Sequence, residues 1–209
     1  MKLRVLLVVL LTFTLLLVTP VAATVVNFDN LPTTQTWGSQ TNAWADIPGN
    51  YMGLSWVGWE VMNQSAYQAL YSDPTPLPSA SNFAYPGLDT GGVLTVTGNP
   101  FNFLGVSFAY WPNTTSVKAN DVTIRGYLGA NLVAQATTFQ LTTTWRGYGG
   151  FAGPVDRLEF STNPGSGYFR MDNFSYESAS AVPEPGTFWS LISGGGLLGL
   201  GLLKRKVAA

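Results

Sequence analysis

The sequence predicts an all-β domain, an antiparallel β-sandwich or jelly roll, between an N-terminal signal peptide and one C-terminal transmembrane helix. Aromatic and β-branched residues dominate the region between these ends, and Gly and Pro recur at short intervals. No long stretch keeps the i, i+3, i+4, i+7 apolar spacing of a helix. Short strands separated by turn residues are typical of a sandwich. No repeat of fixed period appears, which disfavours a propeller or a β-helix.

Eight segments have the composition or alternation of strands. They are 24–28, 54–62, 93–97, 101–110, 121–128, 132–138, 155–161 and 167–176. A turn at Gly129, Ala130 and Asn131 predicts that the fifth and sixth segments form a hairpin, because Gly and Asn tolerate positive φ. The proline-rich stretch 73–78 cannot be a central strand, because proline has no backbone N–H, and it is predicted to be a surface loop.

The second of these segments contains two tryptophans three residues apart. A regular strand would direct Trp56 and Trp59 to opposite faces of the sheet. A bulge at Gly58 would bring both side chains to one face. The alternative is that one tryptophan packs in the core and the other lies under a loop.

The N-terminus has the pattern of a secretory signal. Lys2 and Arg4 form a positively charged region, and an apolar stretch over 5–18 follows. Small residues then lead to a predicted signal-peptidase cleavage between Ala23 and Thr24. The alternative is an uncleaved anchor, but the apolar stretch is short for a span of about 20 residues.

A second membrane-directed segment ends the chain. It starts with a short motif bounded by prolines, namely Val182, Pro183, Glu184 and Pro185. The apolar run 188–203 would form a helix of about 24 Å, short for a bilayer core of about 30 Å. A basic cluster then marks the membrane stop on the cytoplasmic side, namely Lys204, Arg205 and Lys206. The predicted organisation is a signal peptide (1–23), a β-sandwich ectodomain (24–178), a linker with the Pro-Glu-Pro motif (179–187), and a transmembrane helix with a basic tail (188–209).

These three C-terminal parts, in a chain that also starts with a signal peptide, resemble the PEP-CTERM sorting signal of bacterial exosortase substrates. The resemblance implies export, temporary anchoring in the inner membrane with the ectodomain outside the cytoplasm, and processing by an exosortase near the motif. The final location would be the cell surface or the extracellular matrix. Members of this family are typical of bacteria that make exopolysaccharide and biofilm. The alternative is an ordinary C-terminal anchor that is never cut.

The middle of the chain is similar, more loosely, to the jelly-roll ectodomains found upstream of this signal. The residues that carry this similarity lie at 27–32, 47–56 and 169–174. Such domains resemble galactose-binding-like carbohydrate modules in fold. Since a fold does not establish a function, the similarity implies sugar binding only by analogy.

Composition excludes several classes of function. The chain has no cysteine and no histidine, which removes disulfides, His-dependent triads and imidazole metal sites. Between Thr24 and Val182 there are five basic and ten acidic side chains, a formal charge of −5. This region therefore lacks the basic stripe that nucleic-acid binding requires.

Aromatic side chains in loops are the candidates for a glycan site, because a flat ring can stack on the apolar face of a sugar. Five of them lie near Gly, Asn, Pro or Thr clusters: Trp37, Trp44, Trp111, Trp145 and Tyr148. We expect two or three of these to line a site with Asn or Asp nearby. For any single aromatic residue, packing in the core is the alternative.

Carboxylates suggest two further sites. Asp29 and Asp172 fall in the first and last strands, where they could share a structural Ca²⁺, although no cofactor is required. The alternative is that each accepts backbone hydrogen bonds. Glu60, Asp156 and Glu159 are the acids in or near strands that a glycoside hydrolase would need, but no motif pairs them.

The sequence therefore predicts an exported, non-catalytic surface or matrix protein that associates with exopolysaccharide. Its expected partners are signal peptidase, exosortase, the membrane and a polysaccharide, and nucleic acid is not among them. The alternatives are a secreted polysaccharide hydrolase and a protein-interaction module without a glycan ligand.

Overall fold

Two antiparallel sheets joined by one long strand make up the domain, as a computed structural model shows. The structure describes residues 22–87, 94–111, 118–135, 139–163 and 167–179. They belong to one compact unit that ends at Ala179, and a second unit, Ser180–Ala209, lies outside the described residues. The strands are β1 (Thr24–Val26), β2 (Gln35–Trp37), β3 (Gln40–Asp46), β4 (Ser55–Val57), β5 (Trp59–Asn63), β6 (Asn82–Pro86), β7 (Leu94–Tyr110), β8 (Asp121–Leu128), β9 (Asn131–Gln135), β10 (Phe139–Gln140), β11 (Arg146–Gly149), β12 (Pro154–Asn163) and β13 (Phe169–Ser178), and the helix is α1 (Gln64–Tyr71).

The strands divide between a first and a second sheet. The first sheet contains β4, the beginning of β7, β12 and β8, with β9 and β10 on the far side of β8. The second sheet runs from β11 through the end of β7 to β13, β6, β5, β3 and β2, with β1 also paired to β13. All of these pairings are antiparallel, which confirms the predicted all-β antiparallel sandwich.

Strand β7 belongs to both sheets. Its first residues pair with β12 and β4, and the stretch from Phe101 onward pairs with β13. The sequence predicts two separate strands here, 93–97 and 101–110, with Gly98, Asn99 and Pro100 between them. The structure instead keeps these three residues in a single strand of 17 residues. The predicted break is wrong because the chain crosses from one sheet to the other as one continuous, paired strand.

The chain also changes sheets at Gly58, which has a φ of +83°. Strand β4, before it, pairs in the first sheet, and β5, after it, pairs in the second. Trp56 and Trp59 therefore both point into the core, with exposures of 3% and 2%, and their rings pack edge to face at 6.3 Å. The two rings share the location that a bulge at Gly58 would have given, but its cause is a corner between sheets rather than a bulge within one strand.

The main core lies between the two sheets. Trp59 from the second sheet contacts Phe160 from the first at 5.1 Å, and Trp56 from the first contacts Phe174 from the second at 5.2 Å. Fully burying large side chains of this kind is the dominant source of stability in a domain without disulfides.

Helix α1 is absent from the sequence prediction. Asn63 caps its N-terminus by accepting hydrogen bonds from the backbone N–H groups of Ser65 and Ala66. Ser72 ends the helix in the left-handed conformation. Tyr67 is buried under the helix against the outer face of the second sheet. At 8 residues the helix is too short to be stable alone, so its packing on that face holds it in place.

The predicted signal peptide up to residue 21, the sorting motif, the transmembrane helix and the basic membrane stop lie outside the described residues. Within the part of the chain that the structure describes, no helix is long and apolar enough to cross a bilayer. The predicted hairpin of β8 and β9 is confirmed, with Gly129 at a φ of +60° in the turn.

Candidate functional site

Most of the predicted sugar-stacking residues gather on the outer face of the second sheet. Trp37, Trp44, Trp111 and Trp145 pack there around Phe83 in one aromatic cluster, which helix α1 also covers. We call this surface the covered face. The structure therefore brings four of the five predicted residues together.

The geometry of this cluster is that of a core. Trp111 is only 1% exposed, so the prediction that it stacks on a sugar at the surface is wrong. Trp37 and Trp44 are half-buried, but their rings lie at 83° to each other and form no flat platform. The indole Nε1 of Trp44 donates to the carbonyl of Thr36 at 3.2 Å, which further fixes its orientation.

Tyr148 lies apart from these four residues. Its ring packs on Phe139 at a centroid distance of 4.3 Å and on Phe108 at 5.7 Å, at the edge of the main core. Its hydroxyl donates to the carbonyl of Gln140 at 2.9 Å. Tyr148 therefore fills a structural position between β11 and β10.

A buried cation organises the covered face. Arg170 on β13 is 0% exposed, and its Nη1 lies 3.0 Å from Oδ2 of Asp73 in an ion pair. Its Nε donates to the carbonyl of Tyr110 at 2.8 Å, and its guanidinium lies 5.0 Å from the ring of Tyr67 and 5.1 Å from that of Trp145. Burial lowers the pKa of Arg170, while Tyr67 and Asp73 oppose that shift. The ion pair ties the loop after α1 to the sheet, so Asp73 is buried although the loop was predicted to lie on the surface.

A second buried acid lies on the same face. Glu60 is 9% exposed and accepts a hydrogen bond from the hydroxyl of Tyr85. Burial, followed by this bond, raises the pKa of Tyr85. A Cβ on Gly87 would lie 2.6 Å from Oε1 of Glu60, so a larger residue there would displace the Glu60 carboxylate.

Asp29 and Asp172 meet at one loop, as their predicted proximity requires. Ser79 donates its backbone N–H to Oδ2 of Asp172 at 3.1 Å and its hydroxyl to Oδ1 of Asp29 at 3.3 Å. Asp29 also accepts backbone N–H groups of Ala80, Ser81 and Asn82 at 3.1, 2.6 and 3.0 Å.

The pKa values of these two carboxyls shift in opposite directions. Burial alone would raise the pKa of Asp29, but the backbone N–H groups of Ser81, Asn82 and Ala80 together lower it. Burial raises the pKa of Asp172 to about 6, and the charge on Asp29 adds to that effect. Donors surround both groups, and within the described residues no three acidic side chains come together as a metal site. The calcium site stays a prediction.

The remaining acids considered for catalysis are separated from Glu60. Glu159 pairs with Arg157, its Oε1 lying 3.1 Å from Nη1. Asp156 accepts the backbone N–H of Gly129 at 2.7 Å. Both acids lie on β12 in the first sheet, whereas Glu60 lies on β5 in the second. Glu60 therefore does not form a pair with Asp156 or with Glu159 across a common groove.

The outer face of the first sheet, lined by side chains of β7, β12 and β8, differs from the covered face because no helix among the described residues lies above it. We call it the polar face. Its members alternate with buried residues on each strand: Thr95, Thr97, Asp121, Thr123, Arg125, Tyr127, Arg157, Glu159 and Ser161. All nine are partly exposed.

The strand register arranges the polar face in rows. Arg157 lies opposite Tyr127 on one side and Thr97 on the other. Glu159 lies opposite Arg125 in the next row. Since neighbouring strands are about 4.8 Å apart, each row presents polar groups at a regular spacing across the sheet.

A three-residue network fixes the middle of the polar face. The guanidinium of Arg157 lies over the ring of Tyr127 at 4.2 Å from its centroid. Glu159 forms an ion pair with Arg157 and also accepts a hydrogen bond from the phenol of Tyr127. This hydrogen bond raises the pKa of Tyr127. The network therefore holds a flat ring and a guanidinium in defined positions at an open surface.

A shallow, open depression of about 580 Å³ adjoins this network. It is lined by Thr97, Gly98, Gly129, Ala130, Asp156 and Arg157. The turn between β8 and β9 forms one wall, and the bulge in β12 between Val155 and Arg157 forms another.

Sequence reasoning missed the polar face because it searched for aromatic residues in loops. The signal was present in the strands, where Thr123, Arg125 and Tyr127 alternate with apolar residues or glycine. Arg157 and Glu159 flank a buried leucine in the same way on β12. Their juxtaposition depends on the register between β8 and β12, which a single sequence does not reveal.

Comparisons with known proteins do not identify a family. No protein-family model and no curated protein matches the sequence. Among solved structures, a family 29 carbohydrate-binding module from Piromyces equi is similar at 12% identity and a TM-score of 0.40, covering 78% of this chain and 94% of that one. The K2 cleaved adhesin domain of Lys-gingipain gives 12% identity and a TM-score of 0.40, covering 74% and 99%. A family 29 module complexed with mannohexaose gives 14% and 0.35, covering 77% and 94%. With TM-scores of 0.40 or lower, these similarities do not establish this chain's fold or its ligand.

Proposed function

We propose that this chain is an exported surface or matrix protein, sorted by an exosortase, whose β-sandwich binds extracellular polysaccharide without cleaving it. The sorting part rests on the motif from Val182 to Pro185, the apolar run and the basic residues after it. Signal peptidase and exosortase are the processing partners, and the membrane anchor is temporary.

The polar face carries the binding part of the proposal. A glycan site needs a flat ring for the apolar face of a sugar and fixed polar groups for its hydroxyls. Tyr127 offers such a ring, held by Arg157 and Glu159, and the threonines beside it add hydroxyl groups. Because the face is open and arranged in rows, an extended polymer can contact several strands at once.

The same geometry argues for binding rather than hydrolysis. Glycoside hydrolysis needs two carboxyl groups about 5–10 Å apart across the scissile bond, one of them protonated. On the first sheet, Glu159 pairs with Arg157 and Asp156 accepts the Gly129 N–H, so each carboxyl group is already engaged within the protein. Neither acid is placed to donate a proton to a leaving sugar.

Isothermal titration of the full chain in nonionic detergent against hydroxyethylcellulose, xylan and alginate tests the proposal. We expect at least one polymer to bind, and Tyr127→Ala to weaken that binding about tenfold, in line with a loss of 1–3 kcal/mol for a stacking ring. Tyr127→Phe keeps the ring and should bind nearly as the parent does.

Trp37→Ala is the matched control, because it removes a half-buried ring from the covered face. Its melting temperature is measured alongside, and we expect its affinity to stay within twofold of the parent. If Trp37→Ala abolishes binding while Tyr127→Ala leaves it intact, the site lies on the covered face and the assignment is overturned. Release of reducing sugar from a bound polymer would contradict the non-catalytic part.

A further inference from the structure

We infer that the polar face prefers acidic polysaccharides, with Arg125 as the residue that recognises a sugar carboxylate. This inference rests on the proposed function, because it names the class of glycan that the same surface selects. It rests on a difference between charged side chains of this face: Glu159 and Asp156 are bound by donors within the protein, whereas Arg125 makes only one long hydrogen bond among the described residues.

Glu159 and Asp156 already have partners within the protein, whereas Asp121 lies on the same face, two rows from Arg125 along β8. Oε1 of Glu159 lies 3.1 Å from Nη1 of Arg157, and the phenol of Tyr127 hydrogen-bonds the same side chain. Oδ2 of Asp156 accepts the N–H of Gly129 at 2.7 Å. Both negative charges are thus engaged by donors beside them, which weakens their repulsion of an anionic ligand.

Arg125 is engaged differently. Its Nη1 makes one long hydrogen bond, 3.4 Å, to the hydroxyl of Ser161. Glu159 lies opposite it across the strands, yet within the described residues no carboxylate comes within 4.0 Å of the Arg125 guanidinium. Arginine has five N–H donors, so most of those on Arg125 remain available to a ligand.

The position of Arg125 allows it to bind a carboxylate of a sugar stacked on Tyr127. Arg125 is partly exposed and lies one row from Tyr127 on the same strand face, next to the ring proposed to stack on a sugar. A planar guanidinium binds a carboxylate with two parallel hydrogen bonds, and such charge-assisted bonds are about twice as strong as neutral ones.

Two cellulose derivatives that differ in charge provide the test. The full chain in nonionic detergent is titrated with carboxymethylcellulose and with hydroxyethylcellulose at about 0.01 M salt, where the Debye length is ~30 Å. We expect the carboxylated polymer to bind about tenfold more tightly. The preference should largely disappear at about 1 M salt, where the Debye length is ~3 Å.

Variants assign the preference to a residue. Arg125→Gln should remove most of the preference while leaving the affinity for hydroxyethylcellulose within about twofold. Arg146→Gln is the matched control, because it removes an exposed arginine from β11 in the other sheet, and it should leave the preference unchanged.

The outcomes separate the two proposals. If neither polymer binds and alginate and xylan also fail, the proposed function itself is wrong. If both polymers bind with equal affinity, glycan binding stands and the preference for acidic glycans is overturned. If Arg125→Gln keeps the preference, or Arg146→Gln loses it, the assignment to Arg125 is wrong.

Discussion

The two outer faces of the sandwich use their side chains in opposite ways. On the covered face, tryptophan and tyrosine rings pack edge to face around the buried guanidinium of Arg170, under helix α1. On the polar face, a single ring, that of Tyr127, lies among threonines and charged groups at the surface.

This difference shows that a high aromatic content does not by itself mark a binding surface. In a domain without disulfides, the extra rings build a second core that holds one helix and one long loop against the sheet. The surface open to a ligand is the one whose residues alternate most plainly between buried and polar.

The sharpest test of this contrast replaces one ring on each face with alanine. Trp111→Ala should lower the free energy of unfolding by about 3–5 kcal/mol, because it empties a fully buried site. Tyr127→Ala should change it by about 0.5 kcal/mol or less, as surface substitutions do. Urea unfolding followed by tryptophan fluorescence measures both. Equal losses of unfolding free energy in the two variants would contradict the contrast between a packed covered face and an open polar face.

The second prediction concerns the ion pair under the covered face. Asp73→Asn keeps an acceptor for the Thr75 N–H but removes the charge opposite Arg170. We expect a loss of about 3 kcal/mol, because a buried guanidinium is left without its counter-charge. Asp156→Asn, which alters an acid beside the polar face, is the control and should cost less than about 1 kcal/mol. A loss for Asp73→Asn no larger than for this control would mean that the ion pair does not hold the loop.

The third prediction is a pH dependence at Asp172. Burial raises its folded-state pKa to about 6, above the ordinary value of 3.8 for an aspartate carboxyl, so folding favours the protonated form. Its contribution to stability is therefore greatest at low pH and declines as the pH rises from about 4 to about 6. Asp172→Asn should remove this decline, which is about 3 kcal/mol. Asp29, whose pKa is lowered, acts in the opposite direction and at lower pH.

Urea unfolding of the parent and Asp172→Asn at several pH values between 4 and 7 measures this difference. The difference between the two proteins should grow in favour of the variant as the pH rises. A constant difference across that range would contradict the raised pKa.

The strands that the sequence predicted best are those whose signal is local. Alternation and a glycine turn correctly predict β8 and the start of β9, and the β-rich composition of 155–161 predicts most of β12. Strands β2 and β3 were missed because Gln, Thr and Asn dominate them, so they resemble loops. Their strand form depends on the pairing of β3 with β5, which is a long-range effect, and on the pairing of β2 with β3.

The candidate site depended even more on distant contacts. Asp73 and Arg170 are far apart in sequence, and neither residue type signals burial on its own. The predicted tryptophans were indeed neighbours, but whether a cluster faces solvent or a covering helix depends on α1, whose eight residues give too short a pattern to recognise. The meeting of Asp29 and Asp172 was predictable because the first and last strands of such domains commonly pair, as β1 and β13 do.

The position of β13 has a mechanical consequence. The strand lies between β7 on one side and β6 and β1 on the other, and it ends at Ser178, where the chain leaves the sandwich. Tension pulling on that end acts along the strand axis, so its hydrogen bonds share the force instead of opening one at a time. Because β7 also runs into the first sheet, a force applied between the polar face and Ser178 passes through β7 into β13. The domain therefore resists this direction of pulling through the joint strength of the β7–β13 hydrogen bonds.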